Sequence, residues 1–346
     1  MVQVYIVFFL ISFILSLACT RFLIYLVPRL GIVDKPDGVR KIHKKSIPLL
    51  GGVALYITFV VVLLLLYYVR PDIFVNISFN QIIGIVIAGF VLMIGGIIDD
   101  KYNIGHYSFI FPLIATVVVF CSGVFIQKIT NPLGGIIDFV DMTFFSGVLT
   151  FCWLLGMTYT TKLLDGLDGL VTGLTSIATF IIFLLSISER FFQPDVALVA
   201  LVFTGAFMGF LVFNFNPARI FLGEGGSVLT GFILAVLAII SGSKIATALL
   251  IMGIPILDVV WIILRRFKSK ASVKKHDALH LHHRFLAIGL TQRQVVLFYY
   301  SISFMFGITT LFLQSLDKIF VLFILVIFMV LLGWMVILLN NRDKEI

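Results

Sequence analysis

One recurrence limits what this chain can fold into more than anything else. Eleven apolar stretches run approximately over 3–27, 51–69, 80–98, 108–123, 145–160, 171–188, 196–213, 228–242, 245–264, 295–313 and 319–339. A helix needs roughly 20 mainly apolar residues to cross a bilayer. A soluble fold has no place for so many: 61% of the 346 residues are apolar and 12% are charged, whereas a water-facing surface needs polar cover and about 25% charge. The expectation is an all-α polytopic membrane protein of about eleven transmembrane helices in a single domain, 1–346. No repeat period or low-complexity segment points elsewhere.

The basic residues orient the bundle. With alternating connections, one side carries 20 of the 25 Lys and Arg, including the loops 28–50 and 265–294 and the C-terminal tail. Positive charge favours the cytoplasm, so the N-terminus is placed outside and the C-terminus inside. The first basic residue, Arg21, comes only late in the first apolar run, with no basic residue before that run, which is not the pattern of a cleavable signal. The net charge of +8 then reports orientation and anionic lipid, not nucleic acid. Residues 124–141 read as a small extracytoplasmic β-hairpin around Asn131-Pro132 and Gly134-Gly135. Cys19, Cys121 and Cys152 lie in apolar stretches and read as small core residues, not a disulfide framework.

The informative residues are acids. Asp99, Asp100, Asp165, Asp168 and Glu224 all fall at expected cytoplasmic helix ends. Carboxylates beside apolar segments are costly, and clustering adds repulsion unless a cation sits among them. Hard oxygen ligands suit Mg²⁺ or Mn²⁺, which bridge substrate phosphates. In GGIIDDKYNIGH, adjacent Asp99 and Asp100 diverge by about 100° on a helix, so at most one need face an ion. In LLDGLDGLVTG, Asp165 and Asp168 share a face if the stretch is helical. In FLGEGGS, Gly225, Gly226 and Ser227 resemble an anion-binding turn at a helix start, after Asn214 and beside Glu224.

Two basic segments accompany them. The loop DKPDGVRKIHKKSIPLLGG carries His43 and Lys44 and suits an anionic head group. HLHHR brings His280, His282, His283 and Arg284, suited either to phosphate contact or to a transition metal. Asp258, inside an apolar segment, calls for a cationic partner; Arg265 and Arg266 lie two turns along its face.

KPDGVRKIHKKSIPLLGG, GGIIDDKYNIG, LLDGLDGLVTG, FLGEGGS, PILDVVWIILRR and HLHHR, in this order, resemble the polyprenyl-phosphate N-acetylhexosamine-1-phosphate transferases (MraY/WecA-like, glycosyltransferase family 4) over nearly the whole chain. The resemblance implies an enzyme of the bacterial plasma membrane with a cytoplasmic active site. Undecaprenyl phosphate would attack the sugar-linked phosphate of a UDP-amino-sugar and release UMP. It implies catalytic roles for Asp99, Asp100, Asp165 and Asp168, metal ligation by Glu224 and Asp168, and substrate contacts from Lys162, His43, Lys44, Asn214, Gly226, Ser227, His280, His282, His283 and Arg284. Mg²⁺ or Mn²⁺ is the implied cofactor, and a homodimer is a candidate assembly. The basic motifs look more like the UDP-GlcNAc branch than the MurNAc-pentapeptide branch.

Three residues depart from the family pattern. Lys162 stands where asparagine is usual, Glu224 where aspartate is, and Gly225 where serine or a similar residue is. A compensated site, with a longer acid and an added cation, is one reading; a non-catalytic lipid-binding homologue is another. A secondary transporter, the alternative of a different class, would keep its ionisable groups near the bilayer midplane and show inverted repeats.

Overall fold

The computed structural model describes residues 1–36, 46–130, 136–139, 142–242, 244–269, 280–313 and 315–342. The chain is an all-helical, multi-pass membrane protein. Its helices are α1 (Val2–Leu26), α2 (Gly51–Val69), α3 (Phe79–Tyr102), α4 (Ile110–Cys121), α5 (Thr143–Leu164), α6 (Leu170–Ile187), α7 (Pro194–Asn214), α8 (Gly223–Ile240), α9 (Ile245–Ile251), α10 (Gly253–Ser269), α11 (Leu281–Ala287), α12 (Gln292–Thr309) and α13 (Ser315–Arg342). Among the described residues, eight helices are long and apolar enough to cross a membrane, or nine if α9 and α10, bent by 79°, form one broken span. The other two expected segments are helical but fall short of that test. The α4 segment is short, and α12 opens on the polar Gln292-Arg293-Gln294.

The layering follows from polarity in lipid. Helices α7 and α8 are buried over 83% of their apolar windows, while α1 and α13 are buried over 17% and 11%. Peripheral helices show oil to lipid; central ones must pack on each other, and lipid offers no hydrophobic drive to pair them. Small residues and interhelical hydrogen bonds do that work. Ser12 and Ser16 of α1 each donate to α7, to the carbonyls of Val202 and Ala206 at 2.6 Å. Gly205 on α7 lets the α1 backbone come that close, since a Cβ there would lie 2.8 Å from the Phe9 carbonyl. Cys121 and Cys152 are free and exposed on the bundle's outside, not in its core, and Cys19 is half-buried.

Two short antiparallel pairs complete the fold. The strands β1 (Val33–Asp34) and β2 (Ile47–Pro48) tie the first loop together; β3 (Lys128–Thr130) and β4 (Ile136–Asp138) pair in the segment where a hairpin is expected. The turn residues 131–135 lie outside the described residues.

Not every buried acid belongs to the functional end. Asp195, in the first turn of α7, accepts the backbone N–H groups of Val75, Asn76 and Ile77, and the Asn76 amide. Its charge is consumed in holding the α2–α3 loop. Asp195→Ala would strand three N–H donors, and we expect a loss of about 3 kcal/mol. Thermal unfolding in detergent reads this; an unchanged midpoint would show that the donors find other partners.

Candidate active site

Glycines bring the site together. A Cβ on Gly96 of α3 would overlap the backbone of Gly225, and one on Gly52 of α2 would overlap Gly226. With hydrogen there instead, the start of α8 lies directly against the end of α3 and the start of α2. The chain before α8 is fixed as well: Gly51 and Gly52 N–H donate to the Phe221 and Leu222 carbonyls at 2.9 and 2.8 Å. These contacts revise the reading of FLGEGGS. Gly225 and Gly226 are buried crossing points inside the helix, and the buried Ser227 hydroxyl donates to the Glu224 carbonyl at 3.1 Å. Neither Gly226 nor Ser227 lines an anion-binding turn.

The acid pair divides its roles. Asp100 accepts the Glu224 N–H at 3.0 Å, capping α8 from the end of α3. An anion there meets the positive end of the helix dipole. At Gly223 (φ +73°) a Cβ would lie 2.5 Å from Asp100 Oδ2, so glycine suits both the backbone and the space. Asp99 is buried and accepts the Gly105 N–H at 3.1 Å. Its other oxygen faces Lys162, which comes from the last turn of α5.

Lys162 bridges two helices. Its Nζ lies 2.7 Å from Glu224 Oε2 and 3.8 Å from Asp99 Oδ2. The Glu224 contact is an ion pair whose angles miss hydrogen-bond alignment. Gly96, Ser108 and Tyr159 line the same small hollow. Ser108 and Tyr159 carried no signal in the sequence that separates them from the helices they sit on.

The DGLD segment is not a helix. α5 ends at Leu164 and α6 begins at Leu170, after Gly169 at φ +80°. Asp165 and Asp168 therefore do not share a helical face. Asp168 is anchored: its Oδ2 accepts the Asn216 amide at 2.9 Å and the Ala218 N–H at 3.0 Å. Asp165 has no such partner among the described residues. Protein crowds it, and the charges of Glu224, Asp100 and Asp168 add to the effect; together they push its carboxyl up to about 8. The side chain keeps exposed surface, so it lines a cleft rather than a sealed core.

Asn214, expected to touch substrate, is instead structural. It is buried, accepts the Thr172 hydroxyl at 2.8 Å and donates to the Ile220 carbonyl at 3.0 Å. Its neighbour Asn216 is the one that reaches the acids. The signal was present as an Asn-Pro turn directly after a helix end.

The histidine motif lies beside this group. Among the described residues, Asp258 meets the histidine motif: its Oδ2 is 2.8 Å from His280 Nδ1, and its Oδ1 accepts the Leu281 N–H at 3.0 Å. The side chains of Arg265 and Arg266 lie outside the described residues. A carboxylate accepts only, so His280 donates to it from Nδ1. His282 is buried, its Nδ1 lacks a hydrogen bond, and burial first, then His283 and His280, hold it well below the usual histidine range. Its Nε2 points at Gly166, where a Cβ would lie 2.9 Å away. His283 stacks obliquely on His282, with ring centres 4.3 Å apart. Arg284 lines an apolar cavity of 330 Å³ with Asp258, Trp261 and Trp334. His43 and Lys44 lie outside the described residues.

A membrane bundle with its acids gathered at one end, beside a histidine-bearing helix, is a class that comparison can narrow. Glycosyl transferase family 4 matches residues 82–242. The chain is 30% identical over 349 residues to a probable undecaprenyl-phosphate N-acetylglucosaminyl 1-phosphate transferase of Bacillus subtilis, covering 98% of this chain and 94% of that one. It is also 30% identical, over 80% of its length and 74% of the relative's, to a decaprenyl-phosphate N-acetylglucosaminephosphotransferase of Mycobacterium tuberculosis. A phospho-N-acetylmuramoyl-pentapeptide-transferase of Bacillus mycoides is 28% identical over 86% of this chain and 94% of its own. The chain belongs to glycosyl transferase family 4.

Proposed function

We propose that the protein transfers N-acetylglucosamine-1-phosphate from UDP-N-acetylglucosamine to undecaprenyl phosphate at the cytoplasmic face of a bacterial plasma membrane. The observation that carries this reading is the convergence of Asp99, Asp100 and Glu224 around Lys162, with Asp165 in electrostatic reach of Glu224, Asp100 and Asp168. The near-full-length likeness to the N-acetylglucosaminyl 1-phosphate transferase of Bacillus subtilis, at 30% identity over 98% of the chain against 28% over 86% for the pentapeptide transferase, favours this donor over the MurNAc-pentapeptide donor. The basic-residue bias supports eleven spans, with the N-terminus outside and the site inside.

In the reaction, an oxygen of the carrier phosphate attacks the sugar-linked phosphorus. The bond to the bridging oxygen breaks, and UMP leaves with that oxygen and the electron pair. A phosphate monoester is mostly dianionic near pH 7, with a second pKa of about 6, so the nucleophile needs orientation more than deprotonation. The obstacle is that two polyanions must meet. Lys162 is a donor placed to orient phosphates, and Asp258 fixes the His280 ring, whose Nε2 would donate to a phosphate oxygen when the ring carries both protons. The apolar cavity beside Asp258 and Arg284 gives a polyprenyl chain a path away from the phosphate end.

A divalent ion fits the residues present. Asp165 is a carboxyl without a hydrogen-bond partner among the described residues, raised first by burial and then by the charges of Glu224, Asp100 and Asp168, and a cation among these acids would relieve both. Asp165 and Asp168 would hold Mg²⁺ or Mn²⁺, which would supply charge neutralisation to the diphosphate. Glu224, the expected ligand, is engaged by Lys162.

The test is a donor panel. Purified protein with undecaprenyl phosphate and Mg²⁺ is offered UDP-N-acetylglucosamine, UDP-MurNAc-pentapeptide and UDP-glucose. UMP release with the first donor alone is expected. Release only with the pentapeptide donor would reassign the branch, and release with none would favour a non-catalytic homologue.

A further inference from the structure

Lys162 Nζ faces three oxygens from three segments: Glu224 Oε2 at 2.7 Å, Asp99 Oδ2 at 3.8 Å and Ser108 Oγ at 3.4 Å. Two carboxylates on different helices, aimed at one point, make a place for a cation. Here the cation is an ammonium tethered to the chain itself. It is a compact point charge with three donors, set in the small hollow that Gly96, Ser108 and Tyr159 line. A divalent ion cannot share that place, since like charges within about 4 Å repel strongly in a partly dehydrated site.

We propose that Lys162 is a resident cation holding the Asp99–Glu224 place, so that a divalent ion reaches those two carboxylates only by displacing the ammonium. Two positions for positive charge then lie side by side. One is filled by the chain between α3, α5 and α8. The other, at Asp165, is left for an exchangeable ion. Lysine and the longer glutamate belong together in this arrangement: Glu224 reaches out from the start of α8 and Lys162 reaches back from the end of α5. The inference deepens the transfer reading and takes its biological meaning from it, but its test reads ion binding without nucleotide or lipid.

The probe is Mn²⁺ alone, titrated into the detergent-solubilised full chain and followed by loss of the free-ion paramagnetic resonance signal. Lys162→Asn and Lys162→Met are expected to tighten Mn²⁺ binding by about tenfold or more, because a competing charge has gone. Lys162→Arg, which keeps the charge, is expected to stay within about threefold of the parent. A separate variant keeps the idea exposed should both neutral variants fail to fold. In the parent background Glu224→Gln is expected to change Mn²⁺ affinity by less than about threefold, since the ammonium already occupies that carboxylate. Unchanged or weaker binding in the neutral variants overturns the proposal. So does a tenfold loss in Glu224→Gln, which would make Glu224 an open ligand. Because UMP release is measured separately, a chain that shows this binding pattern and transfers nothing would refute the proposed reaction and leave the cation assignment standing.

Discussion

Asp165→Asn is expected to lower turnover by about 10³-fold, the scale of removing one preorganised electrostatic group, while leaving the bundle folded. Asp165 is the acid whose charge the described fold leaves uncompensated. A structural acid looks like Asp195, which is surrounded by N–H donors. The proton balance gives the sign of the effect on stability. Burial first, then the charges of Glu224, Asp100 and Asp168, push the folded carboxyl up to about 8, against about 3.9 when unfolded. The folded state therefore binds more protons between those values, and ionising Asp165 weighs against the fold as pH rises through that window. An amide never ionises. In cation-free buffer the parent should lose stability relative to Asp165→Asn as pH rises through that window, so that the amide unfolds later by pH 8 and the gap then stays constant above it. Thermal melts across pH, paired with UMP release, separate the two effects. A variant that turns over at the parent's rate removes Asp165 from the site.

The second large effect concerns orientation. Asp258→Asn is expected to lower kcat by about 10²-fold with a smaller change in KM. The carboxylate takes the His280 Nδ1 proton and the Leu281 N–H together. Asparagine offers one acceptor and one donor. If its oxygen keeps Leu281, its NH₂ faces His280 Nδ1, and the doubly protonated ring that donates from Nε2 to phosphate loses its counter-charge. Replacing the carboxylate partner of a catalytic imidazole by an amide costs about 10⁴ in serine protease triads. A smaller figure is expected here because phosphate contact is shared with Lys162. Asp258→Glu, which restores an acceptor-only partner, should recover part of the rate. Equal rates for asparagine, glutamate and parent would make the Asp258–His280 pair a packing feature of α10 and α11.

How far the sequence carried this picture depends on which physics each element obeys. The spans were legible because lipid demands long apolar helices, and no tertiary contact is needed to see them. The acids were legible as a group because charge at the end of a membrane helix is expensive. The DGLD segment misled, since i, i+3 spacing suggests a shared face. Gly166 and Gly169 outweigh it, and Gly169 at φ +80° starts a new helix instead. Gly226 misled in the opposite direction: a glycine-rich helix start looks like an anion turn until Gly52 is found against it. The partner of Asp258 was beyond reach. His280 stands 22 residues further along the chain, and only the folded chain shows its approach to Asp258. Asn216 carried a turn signal and no sign that it would hold Asp168.

The central claim is that this cluster of acids and one lysine directs attack on the sugar-linked phosphorus. Labelling that phosphorus tests it most directly. With UDP-N-acetylglucosamine carrying ³²P in the sugar-proximal position, undecaprenyl phosphate and Mg²⁺, the account predicts that the label moves into the organic-extractable lipid, mole for mole with UMP released. Label left in water-soluble UDP while the sugar alone enters the lipid would mean that the glycosidic bond breaks instead, and would contradict it.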